Sequence, residues 1–170
     1  MSITIEQLNA FCNTERPIIM RPFSQDIWTY ATDGKLIIRV PRMAEVPEYD
    51  DSPKKLDSFI WGYNPITENW FKIPSGLSNE PNRCEQCVGS GECHRCECGD
   101  VHDCGFCDGS GNGKETAIAV GNQWAGHLLL NRLSALPNVE ICNSAKDKLS
   151  ALGIRFDGGE GRLMPIKKEP

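Results

Sequence analysis

In the N-terminal part of the chain, the spacing of apolar residues predicts a short helix followed by strands. Leu8 and Phe11 lie on one apolar stripe at helical spacing, and Thr4 with Gln7 forms a capping box at the start of that helix. Asp33-Gly34, between two apolar runs, is typical of a hairpin turn. The predicted elements are a strand over residues 2–4, a helix over 5–15, an extended segment over 18–23 and strands over 27–32 and 36–40.

The C-terminal part repeats this order of elements. Asn122 can cap a helix whose apolar stripe includes Leu133, and Pro137 ends it because proline cannot continue the hydrogen-bond ladder. Asp157-Gly158 takes the place that Asp33-Gly34 has in the first part. The predicted elements are a strand over residues 116–120, a helix over 122–136 and strands over 139–142, 152–156 and 163–166. The sequence therefore predicts an α+β fold with two βαβββ units.

An insertion separates the two units. We expect residues 1–42 and 115–170 to form one domain in two halves, with residues 43–114 inserted between them. Aromatic runs over residues 59–63 and 69–73 predict a hairpin within the insertion. Their side chains suit either a small core against the main sheet or a platform that stacks bases. We favour the core because little basic charge accompanies them.

Seven of the nine cysteines lie within residues 84–111. The phrase Cys-x-x-Cys-x-Gly-Ser-Gly occurs at both ends of this block, and we call residues 84–91 knuckle 1 and residues 104–111 knuckle 2. Two thiolates of one such turn can reach the same ion, and the glycines permit the positive φ that the turn needs. A disulfide cluster is the alternative. The spacing and the lack of a basic, apolar leader favour zinc, held by four sulfurs in a closed tetrahedral shell.

The repeated phrase resembles the cysteine-rich zinc region of DnaJ-type chaperones over about 28 residues. The resemblance implies that the first and last repeats share one ion. The ligands of that first site are then Cys84, Cys87, Cys104 and Cys107. The segment between them lacks the inner repeats of that family but offers a second tetrahedral set, Cys93, Cys96, Cys98 and His102. We predict one zinc ion and leave a second open.

The amino-acid composition and net charge are typical of a globular chain without a strongly basic surface. Of its 170 residues 39% are hydrophobic and 24% charged, and the formal net charge is −5. The acidic balance argues against a surface that coats nucleic acid. No apolar run approaches the roughly 18 residues of a membrane span. Without a targeting segment we expect the cytoplasm, where thiols stay reduced and can bind zinc.

Three short segments outside the insertion resemble the bacterial DNA sliding clamp. They are residues 30–36 (Tyr-Ala-Thr-Asp-Gly-Lys-Leu), 131–139 and 163–167 (Leu-Met-Pro-Ile-Lys). A tandem pair of βαβββ units is the topology of one clamp domain, so the resemblance implies one clamp-like domain. Ring clamps line their hole with basic helices because these neutralise phosphates. The predicted helices here carry few basic residues, so we expect weak DNA binding.

The sequence contains no phosphate loop, no His-Glu-x-x-His and no Gly-x-Ser-x-Gly motif. A metal shell filled by four protein ligands also leaves no position for an activated water. We therefore expect a non-enzymatic zinc-binding protein with a protein partner. The architecture suits an accessory or antagonist factor of a phage or mobile element, near DNA replication or host defence. The alternatives are an oligomeric DNA-binding clamp or processivity factor, and a DnaJ-like peptide-binding module.

Overall fold

The computed structural model describes residues 3–49, 66–93 and 101–167. The helices are α1 (Ile5–Asn9) and α2 (His127–Leu133), with a 3₁₀ turn at Pro17–Ile19. The strands before the knuckles are β1 (Phe23–Gln25), β2 (Trp28–Thr32), β3 (Leu36–Pro41) and β4 (Ile66–Lys72). The strands after them are β5 (Ala117–Val120), β6 (Gln123–Gly126), β7 (Glu140–Ser144), β8 (Leu152–Phe156) and β9 (Gly159–Leu163).

One antiparallel sheet forms the body of the protein. Its seven strands within the described residues lie in the order β1-β2-β3-β9-β8-β7-β4, and β5 pairs with β6 in a separate hairpin. The two halves of the chain meet where β3 pairs with β9, with Leu36 opposite Leu163. The strand β4, which leads into the knuckles, lies at the far edge and pairs with β7. The segment that follows β4 and carries the knuckles therefore starts from an edge of the sheet, and β4 belongs to the sheet although it lies within the predicted insertion.

The predicted α+β fold with two βαβββ units is wrong, because the described part of the chain is mostly β and contains only two short α-helices. Thr4 is not in a strand but caps α1, which ends at Asn9 instead of continuing to residue 15. Asn122 does not cap a helix. It follows Gly121, whose φ of 59° allows the tight turn between β5 and β6. Residues 123–126 pair with residues 117–120, so α2 begins only after Gly126.

Other strand predictions are partly confirmed. The strand over 152–156 is present as β8, and the turns at Asp33-Gly34 and Asp157-Gly158 join neighbouring strands as expected. The strand expected over 163–166 instead runs earlier, as β9. The predicted hairpin of aromatic residues is only partly testable. Its second arm falls in β4 and its end, whereas residues 59–63 lie outside the described part of the chain.

The apolar core lies between one face of the sheet, the two helices and the β5–β6 hairpin. Its fully buried members come from every layer: Leu8, Ala31, Ile38, Ala125, Leu130, Leu133, Leu152, Ile154 and Leu163. Cys142 is also fully buried, and Cys12 is half-buried against the core. Burial raises the pKa of both thiols. Neither helix is long and apolar enough to span a membrane in the described regions.

Candidate metal centre

The two knuckles have the same backbone, displaced by 20 residues. In each, the first glycine donates its N–H to the carbonyl of the first cysteine, at 3.1 Å for Gly89 and 3.2 Å for Gly109. The serine that follows donates its hydroxyl to the carbonyl of the second cysteine, at 2.9 Å for Ser90 and 2.6 Å for Ser110. The repeated sequence therefore folds into two equivalent turns that each present a pair of thiols.

Hydrogen bonds between the knuckles hold the two turns against each other. Cys84 donates its N–H to Gly111 O at 2.8 Å, and Cys104 donates to Gly91 O at 2.7 Å. A Cβ atom at Gly91 would lie 2.2 Å from Gly109 O, and one at Gly111 would lie 2.4 Å from Gly89 O. The second glycine of each phrase thus lets the backbone of the other knuckle approach closely. The sequence indicated the positive φ of these glycines but not this contact.

The four thiols converge on one point. All four sulfurs lie within 4.8 Å of one another, with Cys84 Sγ 3.9 Å from Cys104 Sγ and Cys87 Sγ 3.7 Å from Cys107 Sγ. Four zinc–sulfur bonds of about 2.3 Å in a tetrahedron place the sulfurs about 3.8 Å apart. A disulfide would require about 2.05 Å. The four cysteines that the resemblance selected could therefore hold a metal ion.

The backbone favours thiolates in this cluster. Gly91 and Gly111 donate N–H groups to Cys87 Sγ and Cys107 Sγ, both at 3.3 Å. Burial opposes ionisation of Cys87, but the Gly91 amide and neighbouring thiols lower its pKa to about 6. Burial and the nearby thiols raise the pKa of Cys107 to about 11. Because a zinc ligand must be a thiolate, metal binding would displace the protons of these thiols.

The second predicted ligand set is described only in part. The Cys93 N–H donates to His102 O at 2.7 Å, so these two residues are neighbours through their backbones. Cys93 is half-buried and His102 is exposed. Cys96 and Cys98 lie outside the described residues. A second metal site therefore remains a prediction.

Polar contacts join the ends of the knuckle segment to α2. The buried imidazole of His127 accepts the Thr116 N–H at Nδ1, at 3.1 Å, so its other nitrogen bears the proton and faces Glu80 O at 3.3 Å. Glu115 Oε1 accepts the Leu128 N–H at 2.9 Å and so satisfies a free amide at the start of α2. The sequence did not predict these hydrogen bonds. It gave no local signal for these bonds because their partners lie far along the chain.

Asn82 and Gly113 close the base of the knuckle segment. The Gly113 N–H donates to Asn82 O at 2.6 Å, and the Asn82 side chain donates to Lys114 O at 2.6 Å. We call residues 82–114 the knuckle module. A groove of about 440 Å³ lies beside the metal ligands, with Phe106, Arg83 and Lys114 among its lining residues.

No protein-family model, curated protein or solved structure matches this chain. The likenesses to DnaJ-type zinc regions and to sliding clamps therefore stay sequence-level predictions.

Proposed function

We propose that this protein is a non-enzymatic zinc protein in which one ion orders the knuckle module for binding to a macromolecular partner. The proposal rests on the four converging cysteine sulfurs. Their Sγ–Sγ distances are close to the sulfur–sulfur distance in a tetrahedral zinc site with four thiolates. Zinc suits this site because it binds four thiolates in a tetrahedral arrangement and is neither oxidised nor reduced in proteins. A shell closed by four cysteines has no open position for a substrate or a reactive water, which favours a structural role.

The composition of the knuckle module supports a folding role for the metal. The buried apolar cluster of its described residues consists of Cys84, Cys87 and Cys104, with Cys107 packed against it. Such a cluster cannot offset the chain entropy lost when more than twenty residues become ordered. Metal binding would supply that free energy, as in other small zinc modules. We accordingly place the protein in a reducing compartment such as the cytoplasm, where the thiols stay available.

The exposed surface of the knuckles supports a binding role. Phe106 is 78% exposed and Val88 is 76% exposed, although both belong to turns fixed by hydrogen bonds. Exposed apolar side chains on a rigid support are typical of interaction sites. A protein partner is favoured over nucleic acid because acidic side chains outnumber basic ones in this module.

Elemental analysis of protein purified without added metal tests the proposal. We expect about one zinc per chain in the wild type and in Cys142→Ser, since Cys142 is buried in the sheet, remote in sequence from the knuckles. Cys84→Ser removes one ligand and should lose the ion. Absence of zinc from the wild type, or its retention by Cys84→Ser, would contradict the proposal.

Partner capture tests the second half of the proposal. Immobilised wild type and Cys84→Ser are exposed to a lysate of the source cells, and the bound proteins are identified by mass spectrometry. A partner that needs the ordered module binds the wild type and not the variant, whereas Cys142→Ser should retain it. Partners held equally by all three proteins would place the binding surface outside the module.

A further inference from the structure

The knuckle module has an excess of negative charge. Residues 82–114 contain six carboxylates and three cationic side chains. A zinc ion with four thiolates adds a net charge of −2 to this segment. The charge of the folded, metal-loaded module is therefore strongly negative, and a partner of opposite charge would be attracted over a distance of about 10 Å at moderate salt.

Three large apolar side chains protrude from the same segment. Val88 and Val101 are each 76% exposed, and Phe106 is 78% exposed. We call the exposed side chains of residues 85–92 and 101–108 the knuckle surface. Phe106 and Glu85 both line the groove beside the metal ligands, and Arg83 and Lys114 line it as well, so apolar, acidic and basic groups are close neighbours there. A partner segment for this surface needs apolar side chains as well as positive charge.

Val88 has a backbone conformation that is unfavourable for its residue type. Its φ is 54°, in the left-handed region, where a β-branched side chain is rare. The equivalent residue of knuckle 2 is Asp108, with a φ of 50°, and aspartate tolerates this region better. Val88 therefore destabilises its turn, compared with an aspartate in the same backbone conformation. Strain of this kind at an exposed apolar residue points to a role in binding.

A second unfavourable pairing lies between the knuckles. Glu92 and Asp103 are opposite each other in an antiparallel bridge, and both are exposed. Like charges directly across a bridge repel. A cationic side chain between them would relieve that repulsion, so the arrangement suits a lysine or arginine from outside.

We propose that the knuckle surface docks a basic, apolar segment of a partner protein. This inference rests on the proposed function, because the surface exists only when the metal orders the knuckles. Charge complementarity selects the occupant: lysine and arginine side chains meet the carboxylates while apolar side chains cover Val88 and Phe106. A nucleic acid meets the same negative charge with its own phosphates and is repelled. A second copy of this chain, with its net charge of −5, is disfavoured for the same reason.

Fluorescence anisotropy with the full, zinc-loaded chain tests the inference. The probe is a labelled peptide of alternating lysine and leucine. The comparison probes replace lysine by glutamate, or leucine by serine, and a single-stranded oligothymidine serves as the nucleic acid. We expect the lysine–leucine peptide to bind at least about tenfold more tightly than each of the others, and to weaken with added salt. Equal or tighter binding of any comparison probe, or no binding of the lysine–leucine peptide, would overturn the proposal.

The variant Val88→Asn separates binding from structure. Asparagine accepts the left-handed conformation, so the variant should hold zinc at least as tightly as the wild type in a chelator competition. It lacks the apolar side chain, so it should bind the lysine–leucine peptide about tenfold more weakly. Ile27→Asn is the matched control, because Ile27 is 71% exposed at the turn between β1 and β2. It should leave peptide binding unchanged.

Zinc content measured on the same samples distinguishes the two proposals. A wild type without zinc contradicts the proposed function itself. A zinc-loaded wild type that binds the peptide as tightly after Val88→Asn overturns only the docking surface, as does an equal loss with Ile27→Asn.

Discussion

The close contact between the knuckles predicts a large effect of Gly91→Ala on metal affinity. Gly91 has a φ of +81°, and a Cβ atom there would lie 2.2 Å from Gly109 O. The left-handed backbone costs alanine about 1–2 kcal/mol. To reach the 3.0 Å that real Cβ atoms respect, the knuckles must also separate by 0.8 Å, the difference between these two distances. The Cys104–Gly91 hydrogen bond crosses this gap and contributes about 1 kcal/mol.

These contributions add to about 2–3 kcal/mol, which corresponds to a zinc affinity weaker by about 30- to 150-fold. The assay is an equilibrium competition with a chromophoric chelator, which measures the zinc Kd of each variant directly. Circular dichroism on the same samples checks that the sheet stays folded, since the contact lies within the knuckle module.

Two other glycines provide matched controls for this substitution. Gly76 also has a left-handed φ, of +76°, but it lies outside the knuckle module and a Cβ atom there would have nothing within 4 Å, so Gly76→Ala controls for a left-handed alanine that cannot disturb the ligands. Gly105 has neither a left-handed φ nor a close neighbour. We expect zinc Kd values within about threefold of the wild type for both. A Gly91→Ala protein whose zinc Kd stays within the same range would refute the argument that this contact sets the metal geometry.

Three further predictions concern metal removal and two polar contacts. Chelation should expose the amides of both knuckles to hydrogen exchange while those of the sheet stay protected; exchange that rises equally in the sheet would show that the metal supports the whole fold. His127→Leu leaves the Thr116 N–H without its acceptor and should lower the free energy of unfolding in urea by about 1–3 kcal/mol with zinc content unchanged. Arg132 donates to the Asp33 carboxylate at 2.8 Å, so a double-mutant cycle with Arg132→Met and Asp33→Ala should give a coupling of about 1 kcal/mol. Additive effects within about 0.3 kcal/mol would show that this ion pair adds nothing.

The metal ligands were predictable because their information is local. Each knuckle contains two cysteines three residues apart and the glycines that its own turn requires, so the phrase itself specifies the geometry. The turns at Asp33-Gly34 and Asp157-Gly158 were predictable for the same reason. The prediction that knuckle 1 and knuckle 2 share one ion was based on the resemblance to DnaJ-type regions. The positions of the four sulfurs are compatible with it.

The helix boundaries and the sheet order depended on which segments pair with each other. The apolar residues of 123–126 fit the apolar stripe of a helix as well as they fit a strand. They form a strand because their backbone pairs with residues 117–120. Nothing near β4 in sequence indicates that it pairs with β7. In both cases backbone hydrogen bonds override local propensity, between adjacent segments in the β5–β6 hairpin and between distant ones for β4 and β7.

The closed base of the knuckle module has a consequence for how this architecture could have arisen. The chain leaves the body at Asn82 and returns at Gly113, and a single backbone hydrogen bond joins these two residues. A tight turn could therefore connect the two points without moving β4 or β5. The module can be gained, lost or exchanged by a single event at one locus in the gene, with the sheet unchanged. Its ligands and its surface can also diverge independently of the core that displays them.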